Sequence, residues 1–319
     1  MKRRVFLGAA LAVAAAGGFK VGLLQARDRF RWELKSADVG LPERDCGAPF
    51  TFNGRIWISN GYQRGGICLR DLHVSDSGAE WQLVNAATPY ADYAPVGVHD
   101  GWIWFIDTVV RRTRDGVNYE IVPASNMPAR YDAQAHMFYL NGKFHIVGPS
   151  VVRHYDPATS IFSETPLPYP PRTGGAAVLF DGRISVMAGA DDVGNFPPEK
   201  HYANRTSLND VWSTDDPENV SAWVRHADAA WTTRMWPGIV VHDRHLYIVG
   251  GYENRLQANV GDTWRTSDLE YWERIETQES YPARHASTLF SRNGRLVMVA
   301  GNTNKAPGVQ KDAWELVRI

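Results

Sequence analysis

The sequence predicts an all-β protein, a six-bladed β-propeller occupying residues 27–319, and three observations carry that prediction. A short apolar strand opening on an Asn/Asp-Gly turn, or a close variant of one, recurs six times along the 319 residues. Each copy is followed by a third strand and, in five cases, by a fourth strand that opens on an aromatic. The chain ends inside the third strand of the last unit, and the N-terminal segment holds the fourth strand that this unit lacks.

The six copies are "NGRIWISNGY" at 53, "DGWIWFID" at 100, "NGKFHIVGP" at 141, "DGRISVMAGA" at 181, "DRHLYIVGGY" at 243 and "NGRLVMVAGN" at 293. An apolar run precedes each turn, such as "GIVV" before 243 and "ASTLF" before 293, which is the pattern of a tight antiparallel hairpin. Third strands follow in "RDLHVSD", "VVRRTRDG", "VVRHYDP", "NDVWSTDD", "GDTWRTSD" and "KDAWELV". Fourth strands open at Trp81, Tyr119, Phe162, Trp223 and Trp272. "RFRWELKSA", residues 29–37, sets Trp32 as "YWERIE" sets Trp272, so the N-terminal strand is expected to complete the last blade and protect its edges. Trp264 and Trp272 are expected to fill the space between blades, because aromatic burial dominates cores of this kind. A period of roughly 50 residues marks a repeat architecture, with no second domain.

The arrangement resembles the kelch family, the fold class that also contains galactose oxidase. Its repeat carries a glycine pair after the second strand and paired aromatics on the third and fourth. The glycine pair is intact at Gly250 and Gly251, reduced to Asn-Gly at 60 and Ala-Gly at 188 and 300, and absent from the second and third units. "SDSGAEW", "TRDGVNY" and "TSDLEYW" resemble the Asp-box turn of sialidases, a structural device away from the active face.

Formal net charge is -1, which supplies no field that would draw the chain onto nucleic acid or an anionic membrane. The opening "MKRRVFLGAALAVAAAGGFK" has a basic head and an apolar stretch too short to span a bilayer. With Arg3 and Arg4 before Phe6 and Leu7 it resembles a twin-arginine export signal, here residues 1–26, which predicts a periplasmic or secreted protein; a monomer is expected. Cys46 and Cys68 are the only cysteines, both expected on the loop face, and a disulfide between them is one reading there. The ten histidines fall in no ligand spacing, and no nucleophile elbow or phosphate-binding glycine loop occurs. No metal or cofactor is expected, and the thioether-linked Tyr–Cys constellation of the copper radical oxidases has no match.

The loops joining strands two and three are long in blades four to six, at 189–208, 251–261 and 301–311, which selects that face as the working one. Ten positions before each hairpin glycine, or its equivalent Arg244, stand Arg44, Arg172, Arg234 and Arg284, with Ala91 and Asp132 at the same register in blades two and three. Guanidinium groups fork onto carboxylates and phosphates, so one reading has the four arginines gripping an anionic ligand at the channel mouth. The resemblance to kelch repeats supplies the other, in which arginines of this turn tie loops to backbone carbonyls. Trp236 and Tyr252, beside polar forks, suit the faces of sugar rings. In the blade-four loop, Glu199 followed by Arg205 and Thr206 is similar to the middle-blade loop of periplasmic sialate mutarotases. That resemblance implies Glu199 as proton carrier and Arg205 as anchor for a substrate carboxylate. The leading expectation is a protein binding an anionic or carbohydrate ligand. A mutarotase or epimerase of sialic-acid-like sugars and a scaffold gripping an acidic protein partner are the alternatives.

Overall fold

A computed structural model describes residues 29–191, 205–277, 280–305 and 307–319. Six four-stranded antiparallel sheets follow one another, each ordered from its innermost strand outward. The innermost strands are Ala48–Phe52, Val96–His99, His136–Leu140, Ala176–Phe180, Gly238–His242 and Thr288–Arg292 in blades one to six. In blade six the outermost strand is Phe30–Ser36, paired antiparallel with Ala313–Arg318 so that Trp32 faces Leu316 across the ladder. The N-terminal strand therefore closes the ring, as the sequence predicts.

Each inner hairpin turns through two consecutive residues of positive φ, the geometry in which a two-residue turn matches strand twist. Asn53-Gly54, Asp100-Gly101, Asn141-Gly142, Asp181-Gly182 and Asn293-Gly294 adopt it, and so does Asp243-Arg244, where Arg244 stands at φ 58 in the place of a glycine. The turns between third and fourth strands are built from side chains. Thr266 Oγ1 accepts from the Asp268 and Leu269 amides, and Asp268 accepts from those of Glu270 and Tyr271. Thr113 and Asp115 repeat the pattern.

The core is divided among the blade interfaces. Six buried apolar clusters each join two neighbouring blades, and each holds one fourth-strand aromatic: Trp81, Tyr119, Phe162, Trp223, Trp272 and Trp32. Trp272 meets Trp231 edge-on at 5.8 Å. Trp32 meets Tyr281 at 5.2 Å and donates from Nε1 to Thr263 Oγ1 of blade five at 3.1 Å. The sequence reading of Trp264 needs a refinement: besides packing against its cluster, its Nε1 donates to Asp262 at 2.8 Å.

Candidate functional site in the axial channel

An axial cavity of about 500 Å³ runs between the innermost strands. Its mouth is a ring of one residue per blade, two positions after the arginine register: Cys46, Tyr93, Gln134, Gly174, Trp236 and Ala286. All six have φ between 47 and 64, a region that residues with a Cβ enter only when surrounding structure over-determines it. The bonds that hold them there run around the ring. The Cys46 amide donates to Ala286 O at 3.0 Å, Ala286 to Trp236 O at 2.7 Å, Trp236 to Gly174 O at 2.6 Å and Gln134 to Tyr93 O at 3.2 Å. Among the described residues no such bond joins Gly174 to Gln134 or Tyr93 to Cys46, so the ring is broken between blades three and four and between blades one and two.

The rim above the ring is uneven. In blades one, four, five and six the strand-two to strand-three loop folds back on the entry loop of its own blade, pairing Tyr62 with Asp45, Asp191 with Arg172, Tyr252 with Met235 and Asn302 with His285. Blades two and three make this connection in three residues each, 107–109 and 148–150, and the rim is low there.

The four arginines do not surround the mouth as free forks, which corrects the ligand-facing reading. Each is at most 4% exposed, and its Nη1 and Nη2 grip an aspartate at the head of the third strand: Arg44 with Asp71, Arg172 with Asp210, Arg234 with Asp262 and Arg284 with Asp312, all at 2.6–3.0 Å. Nη1 also donates to the carbonyl sixteen residues on, Asn60, Ala188, Gly250 and Ala300 in turn. In blades four to six a tryptophan two residues past the aspartate donates to the same carboxylate: Trp212, Trp264 and Trp314. Burial alone would raise the Asp210 and Asp262 carboxyls, but bonds and charge from Arg172 and Arg234 outweigh it and hold both below the ordinary range. A guanidinium bound in this way is an internal brace. Arg44, Arg234 and Arg284 do not line the cavity; Arg172 does.

Of the other candidates, Trp236 lines the cavity and sits 5.6 Å from the His285 ring. Tyr252 does not line it; its ring meets His285 at 5.7 Å and its backbone pairs with Asn259 in a loop hairpin. Arg205 is buried, its carbonyl accepting from Asn254 Nδ2 at 3.1 Å, and it does not line the cavity either. Glu199 lies outside the described residues. Cys46 and Cys68 are free thiols, Cys68 pairing with Tyr62 and Tyr62 with Asp45 in one small sheet. Among the described residues no cluster of His, Cys, Asp and Glu could hold a metal ion.

The residues that do line the mouth, Tyr93, Gln134 and His136 among them, are missed by motif reading because they share a position and not a residue type. The register that finds the arginines would have found Tyr93 and Gln134 two places on, and His136 four places on. Burial pushes the Cys46 thiol and the Tyr93 phenol up and the His136 imidazole down, so all three are neutral near pH 7. The one charge on the described lining, Arg172, is matched by Asp210. The cavity is thus electroneutral, with apolar walls and a polar rim.

No protein-family model and no curated protein matches the chain. Among solved structures, that of YjhT superposes with a TM-score of 0.67 at 14% identity, over 89% of this chain and 99% of the other. At that identity the likeness is one of fold, and with six four-stranded sheets, six interface clusters and six primed inner turns it makes the chain a six-bladed β-propeller.

Proposed function

We propose that this propeller is an exported binding protein for a small carbohydrate-class ligand held in the axial cavity. The single observation that carries the reading is the mouth ring, in which six residues of positive φ, five of them with a Cβ, converge on a cavity of about 500 Å³ and present Trp236, Tyr93 and Gln134 to it. Ligand sites of this size are apolar with a few placed polar groups, and an indole plane with amide and phenol neighbours suits a pyranose. The anionic half of the sequence expectation loses its support, since the four arginines are bound to aspartates.

The test is the melting temperature of residues 27–319 with millimolar neutral and acidic sugars. A ligand at 100 times its Kd stabilises the folded state by about 2.7 kcal/mol, so a clear upward shift is expected, and Trp236→Ala should abolish it. A flat response to every sugar would sink the reading. The enzymatic reading, exchange of a sugar's anomers with Glu199 moving the proton, rests on the loop resemblance. It predicts that Glu199→Gln stops anomeric exchange seen by proton NMR while the fold stands.

A further inference from the structure

One place after the arginine register the six blades carry Asp45, Asp92, Ala133, Thr173, Met235 and His285, a single imidazole among them. His285 stands at the rim, where its backbone pairs with Asn302. The imidazole is half-buried, with the Trp236 ring at 5.6 Å and the Tyr252 ring edge-on at 5.7 Å. Trp236 also lines the axial cavity. One indole therefore borders both the cavity and this imidazole.

A neighbour from another blade settles which nitrogen of His285 holds the proton. Asn259, in the blade-five loop, donates from Nδ2 to Asn302 O at 2.9 Å and to Ala283 O at 3.2 Å. Carbonyls only accept, so the amide cannot be turned round, and its Oδ1 is the atom that faces His285 Nδ1 at 2.8 Å. Nδ1 therefore carries the proton and Nε2 is left with a bare lone pair. Burial pushes the imidazole down to about 4, which keeps that lone pair free at neutral pH. Nε2 bonds to nothing among the described residues, yet it is not sealed from solvent. The fold uses only Nδ1. An asparagine at 285 would serve the same clamp, because its Nδ2 takes the place of Nδ1, so the clamp alone does not account for an imidazole. What the imidazole adds is a neutral acceptor, held in one orientation beside an indole of the mouth.

Resting on the carbohydrate reading above and narrowing it, we propose that His285 Nε2 accepts the hydrogen of one hydroxyl of a sugar seated against Trp236, and that Asn259 is the positioning residue that aims it. The specificity follows from the missing proton. A ligand O–H completes the bond, whereas a deoxy position or a methyl ether has no hydrogen to give and leaves the lone pair unmatched. A site built to bond a ligand hydroxyl rejects the analogue that lacks it.

The test is calorimetric titration with glucose, galactose and N-acetylglucosamine, then with the monodeoxy analogues of whichever binds most tightly, in the wild type, His285→Asn, Asn259→Ala and Trp236→Ala. His285→Asn keeps the donor to Asn259 and deletes the acceptor, so affinity should fall about tenfold. One monodeoxy analogue should lose as much in the wild type and nothing further in His285→Asn. Nitrogen NMR of the wild type, labelled at histidine, reads the same claim without a variant. His285 should be the tautomer protonated at Nδ1, and saturation with the sugar should move its Nε2 resonance while Nδ1 stays. In Asn259→Ala the tautomer should become mixed and affinity fall in part. Wild-type affinity in His285→Asn, with binding still lost in Trp236→Ala, would overturn the assignment and leave the carbohydrate reading standing. A proton on Nε2 in the free protein, or an Nε2 resonance that ignores a bound sugar, would overturn it as well. No binding of any of the three sugars would overturn both readings.

Discussion

At the scale of the residue, the arginine brace decides how any mutagenesis of the loop face is read. Arg284 is 1% exposed and makes its bonds to Asp312, Ala300 O and Pro282 O, none to solvent. Arg284→Ala would strand Asp312 as a buried, unpaired charge, and breaking such a pair costs about 3–5 kcal/mol. Urea unfolding should show that loss, and the double variant Arg284→Met, Asp312→Leu should recover most of it. A variant that loses ligand while keeping wild-type stability would contradict the brace. The arginine register is legible in the sequence because hairpin spacing is fixed at ten residues. The partner is not, since the loop between them varies from blade to blade and sets the aspartate 27, 28 or 38 positions on. A signal was nonetheless present: "DVW", "DTW" and "DAW" place the aspartate beside the tryptophan that fixes it, a pairing hidden where Trp264 is assigned to packing alone.

At the scale of the element, the third blade runs the same brace with its charges reversed. Asp132 occupies the arginine register and pairs with Arg153 of the third strand, while in blade two Asp107 accepts from the Ala91 amide at 2.8 Å and from Arg111. These two blades also lack the glycine pair, so the sequence marks them as departures without revealing that blade three keeps the ion pair in inverted form. Hairpin chemistry was wholly legible, because Asn-Gly and Asp-Gly demand positive φ at both turn positions. The exception makes a prediction. Arg244 at φ 58 holds a left-handed conformation that costs a residue with a Cβ about 1–2 kcal/mol. Arg244→Gly should therefore raise the unfolding free energy by about 1 kcal/mol, less the extra chain entropy that glycine brings to the unfolded state. Chemical denaturation reads this directly, and a destabilised variant would show that the arginine makes compensating contacts.

At the scale of the whole molecule, the closed ring distributes buried histidines among its blades, and their titration couples the fold to acid. His73 in blade one, His154 in blade three and the entry loop's His285 in blade six are each pushed down to about 4. Burial is the first cause in all three, joined at His154 by the neighbouring His145, whose Nδ1 lies 2.8 Å from its own. Since the folded protein holds these groups below the ordinary 6.5, the unfolded chain binds more protons throughout that interval. Stability is then full above pH 6.5 and declines as the pH falls toward 4, at about 2 kcal/mol per histidine by pH 5. The carboxylates lowered by their partners, Asp210 and Asp262 among them, lose their contribution only as the pH falls below their ordinary range. Loss between 6.5 and 4.5 thus belongs to the histidines, while Asp45, raised by burial, opposes it weakly at the acid end. Unfolding free energies measured in urea at pH 7.5 and 5.0 should differ by several kcal/mol. His136, His145 and His242 are lowered by burial as well, so His285→Gln should remove only its own share of the difference, about 2 kcal/mol at pH 5, because it sits apart from His73 and His154 in a separate blade. A profile flat between those two values would mean that the histidines are hydrated in solution, and with that the tight closure of the six interfaces would have to be given up.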